Sequence, residues 1–340
     1  MGADLGKAKA GKLVLRRQAQ KDLHHMNHPA DIDPEILVAR ALQGKALPPF
    51  DITRLEPAEG RRLLNQVGAV LNDGLPEVEK VETFFIEGPA VPLRARLYQP
   101  VGSAGRGAVY YVHGGGWFAC DVDTHDRMLR VLAAESGCSV FAIDYRLAPE
   151  HVFPAALEDC LAGWQWLQEN GPARGIRENI AISGDSAGAN LALSVILSER
   201  DAGRKLPVGA ALLYGSFWPN LNSASSIRYG QGPYGLTAAR MAWYWKRYLG
   251  PHAEAPPVLA APLHADFHGL PPTYLGTGEC DVLADDSRLI AEPMRAAGVD
   301  VTLEVWPGLT HGVLQMTRDV RAARDVVVKV ARRLAAWVNQ

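Results

Sequence analysis

"NIAISGDSAGANLALS", residues 179–194, sets one serine between two glycines where a strand-like run meets a helix-like one. The apolar residues before Gly184 suit a buried strand, and those after Gly188 suit a helix. In a strand–turn–helix elbow, Gly184 and Gly188 remove side chains that would collide as the turn tightens, and the turn lifts the Ser186 hydroxyl out of the sheet. It also puts the Ala187 amide at a helix N-terminus. Taken alone the pattern is weak. With 33 glycines in 340 residues, a chance match somewhere has a probability on the order of 0.1, and a small-residue turn without chemistry stays open.

Around this stretch, buried-strand and helix patterns alternate. "AVYYVHGG" precedes a helix over 124–136, "SVFAIDYR" one over 153–169, and the elbow one over 187–202; "VGAALLYG" ends near Gly215. "PTYLGTGE" precedes a helix over 283–297, and "VTLEVWPG" one over 319–338. Upstream, "VEKVETFFIEG" and "VPLRARLYQP" flank Gly88-Pro89 as a hairpin. Short apolar runs alternating with helices imply a mostly parallel, eight-stranded sheet covered on both faces, an α/β architecture. Two regions break the alternation. Residues 1–75 read as helices and loops, with Asp33 capping a helix that has Pro34 at its first position and stops at Gly44. Residues 216–270, too long for a simple crossover, read as an inserted helical element. The core is thus expected in two parts, 76–215 and 271–340.

Composition narrows the function classes. A formal net charge of −2 recruits neither nucleic acid nor an anionic membrane. No apolar run reaches the ~18 residues of a spanning helix, and no secretory signal follows the basic residues near the start. Cys120, Cys138, Cys160 and Cys280 contain no CxxC pair, which suits reduced thiols and a cytoplasmic setting. His24 and His28 share a helical face, but no carboxylate or cysteine pattern completes a metal site, and acyl transfer to a serine requires neither metal nor organic cofactor.

In "YYVHGGGWF" three glycines follow a buried strand, so backbone amides can converge on one point without side chains in the way. The tetrahedral intermediate of acyl transfer needs such donors, and Gly114, Gly115 and Ala187 are the candidates. A phosphate cradle would need GxGxxG or GxxxxGK[ST] leading into a helix, and neither occurs. His113 is read as a structural support of the loop. A base and an orienting carboxylate are then required, acid before histidine in chain order. Four histidines follow Ser186: His252, His264, His268 and His311. Only His311 sits in a loop after a strand, flanked by Gly308 and Gly312. Asp281 follows strand 273–278 directly, with Glu279 as the fallback acid.

Together "HGGGW", "DYRLAPEHVFPAALED", "GDSAGAN", "GECDVLADD" and "THG" make the chain, over about residues 80–338, resemble the hormone-sensitive-lipase-like family of α/β-hydrolases. The resemblance implies a carboxylesterase with Ser186, Asp281 and His311 as triad, Gly114, Gly115 and Ala187 as oxyanion hole, and a helical cap from the N-terminal segment and the insertion. The chain departs from the family pattern at Ala189, Val313 and "YGSFWPN", which bears on the pocket. Trp117, Phe118, Phe217 and Trp218 are the expected pocket residues, with Trp243, Tyr244, Trp245 and Tyr248 mainly packing the cap. Arg146, Glu150, Glu158 and Asp159 are read as an ion-pair network bracing a loop. The expected substrate is a small, apolar, short-chain ester, with an amidase, lactonase or deacetylase, or a ligand receptor on the same fold, as alternatives. A homodimer is left open. An imidazole base would make activity rise with pH through about 6–7.

Overall fold

In a computed structural model, described for residues 29–47, 49–219 and 221–340, the chain forms one eight-stranded sheet in the order β1-β2-β4-β3-β5-β6-β7-β8. The strands are β1 (Lys80–Ile86), β2 (Leu93–Gln99), β3 (Ala108–Val112), β4 (Ser139–Ile143), β5 (Ile180–Asp185), β6 (Ala210–Leu213), β7 (Thr273–Gly278) and β8 (Val301–Trp306). β1 and β2 form the expected antiparallel hairpin, β2 joins β4 antiparallel, and every pairing from β4 to β8 is parallel. His24 and His28 lie outside the described residues.

The helices are α1 (Pro34–Ala46), α2 (Pro57–Leu71), α3 (Asp126–Ser136), α4 (Ala155–Asn170), α5 (Ala187–Asp201), α6 (Ala224–Tyr229), α7 (Ala238–Leu249), α8 (Ala284–Ala296) and α9 (Arg321–Val338). They divide the core in two because successive side chains of a strand face opposite ways. In β3, Ala108, Tyr110 and Val112 join a cluster with Leu157 and Trp164 of α4, Leu191 of α5 and Ile290 of α8. Val109 and Tyr111 join the other cluster, with Leu129 and Leu132 of α3 and Val327 and Leu334 of α9. All five residues of β3 are buried, as a strand covered on both faces requires.

Local chemistry sets the helix ends. The Asp33 carboxylate accepts the Glu35 amide at 2.8 Å, and Pro34 opens α1. The expected stop at Gly44 is overrun, and α1 ends at Ala46. Gly44 has open space where its side chain would be and is not in the left-handed region, so nothing there enforces a cap. Thr237 caps α7 through the Arg240 amide at 3.1 Å. Among the described residues the segment between β6 and β7 has no strand and carries α6 and α7, and it is pinned to α8: Asp285 accepts the Ser225 amide and Asp286 the Phe217 amide, both at 2.8 Å.

Candidate active site

β5 ends at Asp185 and α5 begins at Ala187, leaving Ser186 alone in the turn at φ 55°, ψ −121°. A non-glycine residue there stores roughly 1–3 kcal/mol of strain, held by the packing around it. The Ser186 amide donates to the Leu213 carbonyl at 2.8 Å. A Cβ at Gly184 would strike the Gly188 carbonyl, and one at Gly188 would strike the carbonyls of Val112 and His113. The two glycines are therefore steric requirements of the elbow.

Two loops at the same sheet edge complete the cluster. His311, after β8, places Nε2 2.8 Å from Ser186 Oγ. Asp281, after β7, faces His311 Nδ1 with its oxygens at 2.9 and 3.1 Å, and Asp281 Oδ1 also accepts the Leu283 amide at 2.8 Å. The carboxylate is fully buried, so the imidazole and that amide are what offset its desolvation. A carboxylate on Nδ1 fixes the proton there and leaves Nε2 as acceptor for the serine hydroxyl. The Tyr214 ring packs 4.8 Å from the imidazole. Glu279, the fallback acid, instead accepts the Gly308 amide at 3.0 Å. His264 packs on Trp218, and His268 pairs with Asp266.

The glycine loop corrects one expectation. The Gly114 amide donates to Asp185 Oδ1 at 2.9 Å, so it is not free to face a ligand. The next two peptide groups are anchored by their carbonyls: Gly114 O accepts from His113 Nδ1 at 2.8 Å, and Gly115 O accepts from the Phe118 and Ala119 amides at 3.2 and 3.1 Å. In a trans peptide the N–H points opposite to the C=O, so the amides of Gly115 and Gly116 turn the other way and meet no acceptor among the described residues. Gly115 (φ 126°) and Gly116 (φ 63°) occupy backbone regions that glycine favours. The Ala187 amide is likewise unengaged at the start of α5. The amides left without an acceptor among the described residues are thus those of Gly115, Gly116 and Ala187. Gly116 was visible in the run of three glycines, but which amide Asp185 takes was not. His113 is the expected support: its ring stacks on Tyr145 at 4.2 Å, and burial with His125 beside it pushes its pKa down to about 4.

The cleft over Ser186 holds about 130 Å³ and is lined by Gly115, Gly116, Cys120, Leu236, Met241, Tyr244 and Gln315 beside Asp185, Ser186 and the His311 loop. None of Trp117, Phe118, Phe217 and Trp218 lines it, which corrects the expected pocket. Trp117, at φ 54°, turns its ring away from the cleft to stack on Tyr248 at 4.2 Å and pack on Trp245. Phe118 packs edge-on to Trp243 at 4.8 Å, and Phe217 is fully buried. Trp218 lies against His264. The insertion reaches the cleft through Leu236, Met241 and Tyr244 instead, and the Tyr244 ring covers Gly116 closely enough that a Cβ there would lie 2.6 Å from it. A larger open hollow of about 580 Å³, at Lys80, Glu82, Gln99 and Arg174 by the β1 edge, is lined by a Lys80–Glu82 ion pair at 3.0 Å and by no serine, cysteine or histidine.

Other groups hold these loops. Arg146 pairs with Asp159 at 2.8 Å and Glu158 at 3.2 Å, but Glu150 pairs with Arg61 of α2 rather than joining that network. Arg40 of α1 donates to the carbonyls of Pro233 (3.1 Å) and Tyr234 (2.9 Å) and to Thr310 Oγ1 (2.8 Å), beside His311. Burial pushes its pKa down to about 10. Burial raises Asp286 to about 7, against the Phe217 and Trp218 amides.

The comparisons with known proteins bear on the fold and the family. A family model described as "alpha/beta hydrolase fold" matches residues 109–315. Carboxylesterase NlhH of Mycobacterium tuberculosis is 36% identical over 240 residues, covering 69% of this chain and 75% of its own. Ethyl acetate hydrolase of Pseudomonas putida is 31% identical over 310 residues, covering 88% and 95%. Among solved structures, the esterase of Pyrobaculum calidifontis superposes with a TM-score of 0.82 at 32% identity, covering 88% of this chain and 99% of that one. No helix among the described residues is long and apolar enough to cross a membrane.

Proposed function

Because the chain belongs to the hormone-sensitive-lipase-like carboxylesterases of the α/β-hydrolase fold, we propose that it hydrolyses small apolar esters through an acyl-enzyme on Ser186. It is an ester-bond hydrolase. The observation that carries the finer reading is the unbroken hydrogen-bonded chain from Ser186 Oγ through His311 to Asp281. In this reading His311 Nε2 takes the serine proton as Oγ attacks the ester carbonyl, while Asp281 holds the ring and stabilises the imidazolium. The amides of Gly115, Gly116 and Ala187 receive the oxyanion. His311 then protonates the leaving alcohol, and water, deprotonated by the same imidazole, releases the acid.

The size of the cleft favours short acyl groups. About 130 Å³ is the space of roughly four waters, room for a two- to four-carbon acyl group. Leu236, Met241 and Tyr244 make its wall apolar. The ethyl acetate hydrolase relative is named for an ester of that size. Four free cysteines suit a reducing, cytoplasmic setting.

The test is a series of p-nitrophenyl esters from acetyl to decanoyl on wild type and Ser186→Ala. We expect turnover highest at two to four carbons and a loss on the order of 10⁴-fold or more in the variant. No turnover by wild type, or equal turnover by both, sinks the reading. A matching anilide separates ester from amide cleavage.

A further inference from the structure

Asp185 adjoins the oxyanion site. It is a buried acid that lines the cleft one residue before Ser186, where a negative charge would oppose a developing alkoxide. Four groups surround it. Tyr111 Oη and the Gly114 amide each donate to Oδ1 at 2.9 Å, His125 Nε2 lies 3.2 Å from the same oxygen, and Tyr214 Oη stands 3.5 Å from Oδ2. Tyr111 comes from β3 and Tyr214 follows β6, so the carboxylate is gripped from both sides of its own strand. The Gln315 amide, on the cleft wall, lies 3.0 Å from His125 Nε2. Burial pushes the Asp185 carboxyl up, but His125, Tyr111 and the Gly114 amide outweigh it and hold the acid below the ordinary carboxylate range.

The contact with the glycine loop is close as well as polar. A Cβ at Gly114 would sit 2.5 Å from Asp185 Oδ2 and 2.7 Å from its carbonyl. The His113–Gly114 peptide is thereby tied at both ends, its carbonyl by Tyr145 Oη at 2.8 Å and its N–H by Asp185. That peptide sets the direction from which Gly115, at φ 126°, leaves it. Released from Asp185, the loop could rotate the Gly114 N–H toward the cleft and carry the next two amides off their aim.

We infer that Asp185 is the positioning residue of the oxyanion loop: its Oδ1, gripped by Tyr111 and His125, takes the first glycine amide so that the second and third face the reacting carbonyl. Its carboxylate is held by Tyr111, Gly114, His125 and Tyr214 rather than by Ser186 or His311. The inference rests on the acyl-transfer reading above and adds to it where the loop gets its shape. The function belongs to the accepting oxygen rather than to the charge, because the Tyr111 hydroxyl and the Gly114 N–H both donate to one atom.

The test compares Asp185→Ala, Asp185→Asn and Ser186→Ala with wild type on p-nitrophenyl acetate, together with the affinity of each Ser186-bearing protein for phenylboronic acid, whose tetrahedral serine adduct needs the same amides. Asp185→Ala should lose about 10²-fold in kcat, with KM within about threefold and boronate affinity falling alongside kcat. Asp185→Asn keeps an accepting oxygen and should recover at least about tenfold of the loss. If the alanine variant does not fold, Asp185→Ser replaces it, since its shorter side chain cannot reach the Gly114 amide. The inference is overturned if kcat stays within about threefold of wild type, if boronate affinity is unchanged while kcat falls, or if the asparagine variant is as impaired as the alanine one. Retained turnover in Ser186→Ala would instead sink the acyl-transfer reading, whatever the Asp185 variants do.

Discussion

Two buried groups near the cleft pull the pH dependence of stability in opposite directions. His113 is shifted from 6.5 to about 4, so the unfolded chain binds its proton first as pH falls. Its contribution is full above about 6.5 and is lost as pH falls toward 4. Asp286 is shifted from 3.8 to about 7, so the folded state holds that proton longer. Its contribution is full below 3.8 and is lost as pH rises toward 7. Between pH 4 and 6.5 the two slopes oppose each other. Asp286→Asn should therefore show a Tm that climbs with pH across this window more steeply than that of wild type, and calorimetry at half-unit steps would measure it. An unchanged slope would exclude Asp286 as a titrating group there. Legibility in the sequence also divides at this scale. Ser186, Asp281 and His311 were readable because each sits at a fixed place relative to a strand end. Trp117 and Phe118 were misplaced because adjacency to the glycine loop says nothing about the backbone angle that turns a ring away from the cleft. The capture of the Gly114 amide depends on where Asp185 lies in three dimensions, which the motif does not encode.

Among the elements, α1 and the insertion are the parts whose existence was legible and whose contacts were not. Alternation of buried strands and helices marks the core by its period, but nothing periodic says that Arg40 of α1 will reach the 233–234 turn and the residue before His311. That clamp fixes the turn from which Leu236 enters the cleft. Arg40→Met keeps the stem and removes every donor, leaving Thr310 Oγ1 and two carbonyls without it. A loss of about 2 kcal/mol is expected, read from a urea melt, together with weaker selectivity for acetyl over longer esters as Leu236 loosens. Stability lost with selectivity unchanged would mean that the clamp braces the fold without shaping the cleft.

For the whole molecule, the sheet is a partition between two cores, and burial in them should decide which apolar residues matter. Leu334 of α9 is fully buried in one core, whereas Leu289 of α8 is half exposed. Leu334→Ala should cost about 2–5 kcal/mol, and Leu289→Ala no more than about 0.5 kcal/mol, by the same chemical denaturation. Equal costs would contradict the two-core packing. The Arg40 clamp also has a consequence in time. Arg40 and Thr310 are 270 residues apart, and a ribosome adding roughly 5–20 residues per second makes one about a quarter of a minute to a minute before the other. For the first 193 of those residues the guanidinium of α1 has none of its native acceptors, and Thr310 is the last of them to be made. Activity should accordingly appear on nascent chains only after the His311 loop has emerged, however early the strands before it have paired.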